Sequence, residues 1–115
     1  MQSNTYGKRS EIIAAEYLKD KGYKILQVNY KNKIGEIDVI AQDKEYIVFV
    51  EVKARLSQRF GHPFEAIDER KQQKIHAVAS LYLVQNKKYN KACRFDAISI
   101  LGLENPEIRH IIDAF

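Results

Sequence analysis

Two apolar runs in this chain carry acidic residues where a core strand ordinarily has none. The first is Gly35-Glu36-Ile37-Asp38-Val39-Ile40-Ala41, and after a short break the second is Val48-Phe49-Val50-Glu51-Val52-Lys53. Both have the β-branched content of strands. Burying charge in a strand is costly unless it is paired or holds a metal, so a fold that accepts these strands must supply Asp38 and Glu51 with compensation. Strand alternation puts Glu51 and Lys53 on one face, roughly 6.6 Å apart, with Val48, Val50 and Val52 on the other face, against a helix. Glu36 and Asp38 are expected to share a face, opposite Ile37, Val39 and Ala41. Neighbouring strands would bring Asp38 within reach of Glu51, although spacing does not set the register.

The residue types suit divalent-metal phosphodiester chemistry. Mg²⁺ takes hard oxygen ligands and keeps several waters, so one or two carboxylates and a substrate phosphate complete its shell; Mn²⁺ is served by the same oxygens. A nearby lysine orients the attacking water or neutralises developing charge. Asp38 and Glu51 as ligands, with Lys53 as that cation, would form a hydrolytic nuclease site. Against this, Glu-x-Lys on one face of a half-solvated strand is commonplace. Pattern alone leaves the two readings level.

Around these runs the periodicity predicts an α/β fold in the order α-β-β-β-α-β-β, a mixed sheet in one domain over residues 1–115. Ile12, Ala15 and Leu18 mark a helix from Ser10, its expected N-cap, to Lys21, with Gly22 as its stop. Strands are expected at Tyr23–Tyr30, Gly35–Gln42 and Tyr46–Ala54, the last two joined by the turn Asp43-Lys44-Glu45. Gly61 and Pro63 mark Arg55–Ile67 as a loop. A second helix follows over Asp68–Gln85, with Ile75, Val78, Leu81 and Tyr82 as its stripe, then strands at Arg94–Ile100 and Ile108–Ile112.

The bulk properties narrow the class. The lone Cys93 excludes an intrachain disulfide and reads as a small buried apolar residue. No apolar stretch approaches the roughly 20 residues that span a bilayer, and Met1-Gln2-Ser3-Asn4-Thr5 lacks a signal peptide's apolar segment. A cytoplasmic protein with no membrane partner is expected. The net charge of +4 suits a polyanionic partner.

The two acidic runs, with Ala54-Arg55, Phe60-Gly61-His62-Pro63, Glu65-Ala66-Ile67, Lys71, Lys74 and Arg94-Phe95-Asp96, resemble the YraN-like family of small bacterial proteins. That family is identified with predicted endonuclease-like domains of the restriction-endonuclease (PD-(D/E)xK) superfamily, similar to archaeal Holliday junction resolvases. The resemblance implies a restriction-endonuclease-like mixed sheet flanked by helices. It places the superfamily motif on Asp38, Glu51 and Lys53. It also adds Glu11 of the first helix as a metal ligand, so that Glu11, Asp38 and Glu51 would hold Mg²⁺ or Mn²⁺. Ile37 stands where the motif's proline would be, and Ser10 where a glycine is usual.

The implied activity is metal-dependent hydrolysis of DNA, at branched or junction structures, by a homodimer. The alternative is a non-catalytic nucleic-acid-binding module on the same fold. Arg55, Lys71, Gln72 and Lys74 are candidates for holding a nucleic-acid backbone, set against a plain wet helix face. Arg94 and Asp96 share a strand face and are expected to pair structurally. His76 is expected to be a packing residue, Tyr82 core, and Tyr30 a border of the cleft.

Overall fold

The computed structural model describes residues 2–56, 67–88, 90–102 and 104–115, with side chains from residue 8 onward. The elements follow the expected order: α1 (Gln2–Asp20), β1 (Lys24–Lys31), β2 (Glu36–Asp43), β3 (Tyr46–Arg55), α2 (Glu69–Gln85), β4 (Ala92–Leu101) and β5 (Glu107–Ile111). The five strands form one sheet in the order β1-β2-β3-β4-β5. Neighbours are antiparallel except β3 and β4, which are parallel and joined through α2. A parallel pair needs such a crossover, and the helix it carries covers a sheet face.

The central strand, β3, is covered on both sides, and for this reason Ile47-Val48-Phe49-Val50 is a continuous apolar run. Val48 and Val50 pack with Ala14 and Leu18 of α1, joined by Val39, Ala41, Ile98 and Ile100. Ile47 and Phe49 pack with Ile75, Val78, Ala79 and Tyr82 of α2, joined by Ile37 and Ile40. Tyr82 is core as expected and meets the Phe49 ring edge-on. Ala79, not Leu81, completes the buried stripe of α2, because Leu81 is half-exposed. His76 is solvent-exposed yet lies against Phe95 and stacks on Phe115.

Local chemistry fixes the ends. Gly22, at φ 97°, closes α1: its N–H donates to the Lys19 carbonyl and that of Tyr23 to Leu18, the paired bonds of a Schellman cap that favours glycine. Asp68 caps α2 by accepting the N–H of Lys71. The β2–β3 turn runs through Lys44 at φ 56°. Ser10 is no N-cap: α1 extends to Gln2, and Ser10 is buried within it. Cys93 is exposed, because β4 is covered only from Arg94 onward. Most of the loop expected over 55–67 lies outside the described residues. No helix among those residues is long and apolar enough to cross a membrane.

The β1–β2 turn is held against α2 by Asn32, whose Nδ2 donates to the Val78 carbonyl and whose Oδ1 accepts the N–H of Ile34. Gly35 sits where this turn meets the helix. A Cβ there would lie 3.1 Å from Lys74 Cε and 3.2 Å from Val78 Cγ2. The lysine end can swing away; the buried valine cannot. Gly35→Ala is therefore expected to destabilise the chain by roughly 1–3 kcal/mol through overpacking, read as a lower urea midpoint with an unchanged m-value.

Candidate active site

The antiparallel register of β2 and β3 runs from Asp43↔Tyr46 to Val39↔Val50, which carries Asp38 to a place opposite Glu51. There the ladder stops. Asp38 Oδ2 instead accepts the N–H of Val52 at 2.7 Å, so a side chain caps the diverging strand. On the other side of β2, Asn29 falls opposite Asp38, between the pairs Val28↔Val39 and Tyr30↔Ile37, and takes φ 57°. Asparagine tolerates this left-handed conformation. The irregularity resets the alternation: Val39 and Ala41 face α1, whereas Ile37 joins the α2 cluster. Ile37 is thus not on the face of Val39, as strict alternation had predicted. β3 itself stays paired with β4 through Arg55, with Glu51 beside Ala97 and Lys53 beside Ser99.

The two helices reach this fork with opposite charges. Glu11 of α1 lies close enough to Asp38 for the two carboxyls to shift each other's ionisation. From α2, Lys71 Nζ lies 2.5 Å from Glu51 Oε2. Glu51 is only 6% exposed, which removes the half-solvated strand reading for that position. Burial, and then the Glu51 charge, pushes the Asp38 carboxyl up to about 8, against the lowering by the Val52 N–H. Burial also raises Glu11, more than the neighbouring Asp38 carboxyl lowers it. Burial alone would pull the Lys71 ammonium down, but Glu51 outweighs it and the net shift is upward.

The remaining candidates divide. Lys53 is half-buried on β3, one alternation beyond Glu51. Arg55 is exposed at the strand end, its Nη1 donating to the Ala54 carbonyl. Gln72 is turned inward, with Nε2 donating to the Ile67 carbonyl at 2.7 Å, so that amide serves the start of α2. Lys71 and Lys74 line a pocket of about 230 Å³ with Gly35, Glu36 and Ile75. Tyr30 is occupied locally: it accepts from Asn32 and meets Tyr82 edge-on. The sequence reading missed the Lys71–Glu51 pair. The only signal was a lysine near the start of a helix that follows a strand glutamate.

Carboxylate oxygens are the donor type that Mg²⁺ and Mn²⁺ prefer. Asp38, crowded by two acids and short of cations, has the electrostatics that a divalent ion relieves. Among the described residues, no three His, Cys, Asp or Glu side chains already converge on one ligating point, and Glu51 is held by Lys71. The donor set fits, with Glu51 as the ligand that must be freed.

An aspartate elsewhere in the sheet shows the contrast. Asp96 on β4 is fully buried and accepts from Arg94 Nε and Nη2, from the Asp113 N–H, and pairs with His110 Nε2. Burial pushes its carboxyl up, but His110, Arg94 and the Asp113 amide outweigh that and lower it overall. Arg94 extends the network to Asp43 and the Tyr23 hydroxyl. The expected pairing of Arg94 with Asp96 is present and structural.

A family model described as "Uncharacterised protein family UPF0102" matches residues 10–100. The chain is 45% identical over 115 residues to a UPF0102 protein of Clostridioides difficile, covering all of both chains. It is 48% identical over 121 residues to one of Caldanaerobacter subterraneus, covering 100% of this chain and 98% of the relative. A third, of Alkaliphilus metalliredigens, is 42% identical over 113 residues, with 98% and 99% covered.

The raised carboxyl of Asp38 makes stability pH-dependent. In the unfolded chain it ionises near its ordinary value of 3.8, in the fold near 8, so between these pH values the native state holds the extra proton. The stabilisation is complete below about pH 4 and is lost as pH rises through about 8. Asp38→Asn, which keeps an acceptor for the Val52 N–H, is expected to flatten this decline and to melt higher than wild type at pH 8 without divalent metal. Thermal unfolding from pH 4 to pH 9 checks it.

Proposed function

The chain belongs to the uncharacterised protein family UPF0102, and on that premise we propose that it is a metal-dependent endonuclease acting on DNA. The observation that carries the reading is the fork at Asp38. A half-buried strand aspartate, raised to about 8, meets a buried strand glutamate and a helix glutamate, with Lys53 on the glutamate's own strand. Glu11, Asp38 and Glu51 would hold Mg²⁺ or Mn²⁺, which when bound lowers the pKa of a coordinated water and stabilises charge on the phosphoryl oxygens.

The chain's own groups do the rest. Lys53 orients the attacking water and stabilises the developing charge. Val52 N–H fixes the Asp38 carboxylate through its 2.7 Å bond, so the acid is positioned before any ligand arrives. Lys74, facing the pocket beside the site, and Arg55, at the exposed end of β3, hold the phosphate backbone. The proposal extends to branched DNA and a homodimer, because a junction offers two symmetry-related scissile phosphates.

One observation favours the other reading, a nucleic-acid-binding module that does not cut: Lys71 already neutralises Glu51. The two readings separate on one experiment. The purified chain is incubated with junction, flap and linear DNA in Mg²⁺, Mn²⁺ or chelator. Metal-dependent cleavage is expected, with Glu51→Ala and Lys53→Ala each reducing it about 100-fold or more. Equal residual cleavage by wild type and both variants removes the catalytic assignment. Salt-dependent binding with no turnover in any metal selects the binding module.

The backbone contacts have their own signature. Lys74→Gln is expected to weaken DNA binding to a similar degree across sequences and to reduce the slope of log K against log salt by about 1. Fluorescence anisotropy at several salt concentrations reads both effects.

A further inference from the structure

We infer that Lys71 is a built-in placeholder for the divalent cation. Its ammonium occupies Glu51 until metal arrives, and is then handed to a substrate phosphate in the adjoining pocket. The inference rests on the metal-site reading above and deepens it by naming the group the metal must displace.

Three observations carry it. The Lys71 ammonium sits on Glu51 Oε2, but the two side chains are unequally placed: the lysine is 50% exposed and the glutamate 8%. Lysine loses little by letting go, since water already reaches it, whereas Glu51 would be left as an uncompensated buried charge. Only another cation can release the lysine without that penalty. Second, Lys71 stands in the first turn of α2, where the helix dipole favours an acid. Helix chemistry therefore does not explain a cation there; Glu51 does. Third, Lys71 does not face solvent alone. It lines the pocket of about 230 Å³ with Lys74, Gly35, Ile75 and one acid, Glu36, so the two lysines outnumber the carboxylate there, and Gly35 admits the helix so closely that a Cβ would crowd Lys74.

A divalent ion on Glu51 takes over as that carboxylate's counter-charge, so the ammonium loses the attraction that held it there. The lysine stem is long and flexible, so Nζ can swing from the carboxylate into the pocket without moving the helix. A phosphate oxygen placed there meets Lys71 and Lys74 together. The same residue thus holds the empty site together and becomes a phosphate contact when the site is loaded. No bond is made or broken in the exchange.

The test reads metal binding rather than cleavage. Mn²⁺ is titrated calorimetrically into the full chain, as wild type, Lys71→Gln and Lys71→Arg. Removing the competing ammonium in Lys71→Gln is expected to tighten Mn²⁺ binding about fivefold or more. It should also lower the melting temperature without metal and enlarge the rise that Mn²⁺ produces. Lys71→Arg, which keeps the charge, is expected to bind like wild type. If wild type binds Mn²⁺ and Lys71→Gln binds it equally or more weakly, the placeholder role is overturned while the metal site stands. Tightening of Lys71→Arg to the same degree as Lys71→Gln also overturns it. No Mn²⁺ binding by any of the three overturns both readings. Should Lys71→Gln fail to fold, NMR of the Lys71 Cε–Nζ group in wild type during Mg²⁺ titration decides. A shifted resonance supports release, and an unmoved one overturns it.

Discussion

Burying a carboxylate on a strand that is covered on both faces obliges the fold to bring it a cation, and this obligation organises the chain. β3 places Val48 and Val50 under α1 and Ile47 and Phe49 under α2. Glu51 continues the same strand and is nearly as buried as they are. Little water reaches it, and its strand neighbour Asp38 is a second acid whose ionisation it opposes. The first turn of α2 answers with Lys71, and the close seat of that helix depends on Gly35 and on the Asn32 bond to Val78. The crossover helix thus does two jobs: it closes one apolar face and neutralises the acid at its end.

Two strand aspartates, Asp96 fully buried and Asp38 half-buried, are treated in opposite ways. Asp96 is surrounded by an arginine, a histidine and a backbone amide, and its carboxyl is held below the ordinary range. Its network ties β4 to Asp43 at the end of β2, to Tyr23 after α1 and to Asp113 after β5. A fully partnered buried acid of that kind is structural cement. Asp38 has an amide donor and two acidic neighbours, and its carboxyl is driven the other way. Both are drawn away from water, Asp96 fully and Asp38 in part. The sign of what surrounds them separates a structural aspartate from one suited to a ligand.

Much of this was legible in the residues. β3 announced itself through Ile47-Val48-Phe49-Val50, and the hairpin through Asp43-Lys44-Glu45, because apolar runs and turn residues are local signals. The hairpin made Asp38 and Glu51 candidates for neighbours, but the register that sets them opposite each other came from the structure. The departures each needed something non-local. Ser10 looked like a cap, but capping preference is outweighed where α1 continues to Gln2 and covers Ser10. Cys93 looked like core, yet the cover of β4 begins one residue later. Ile37 changed faces at the irregular layer where Asn29, on the neighbouring strand, is left-handed opposite Asp38. Gln72 and Lys71 are neighbours on one helix and read alike in sequence. Only the packing of α2 turns one inward to Ile67 and sends the other to Glu51.

The irregularities cluster where the carboxylates are. The left-handed Asn29, the end of the β2–β3 ladder at Val39 and the side-chain cap on Val52 all fall within one layer of residues across the sheet. A sheet optimised for stability alone would run its ladder through Asp38 and place an apolar residue there. Instead the pairing opens at that layer, and β3 keeps its partner only on the β4 side. Beyond Val50 the backbone of β3 has no ladder partner on the β2 side, and the Asp38 side chain takes the N–H of Val52 instead. Strain and uncompensated charge of this kind persist where the rest of the fold over-determines the geometry. Here the two apolar clusters and the Asp96 network supply that determination, at layers of the sheet that the fork leaves intact.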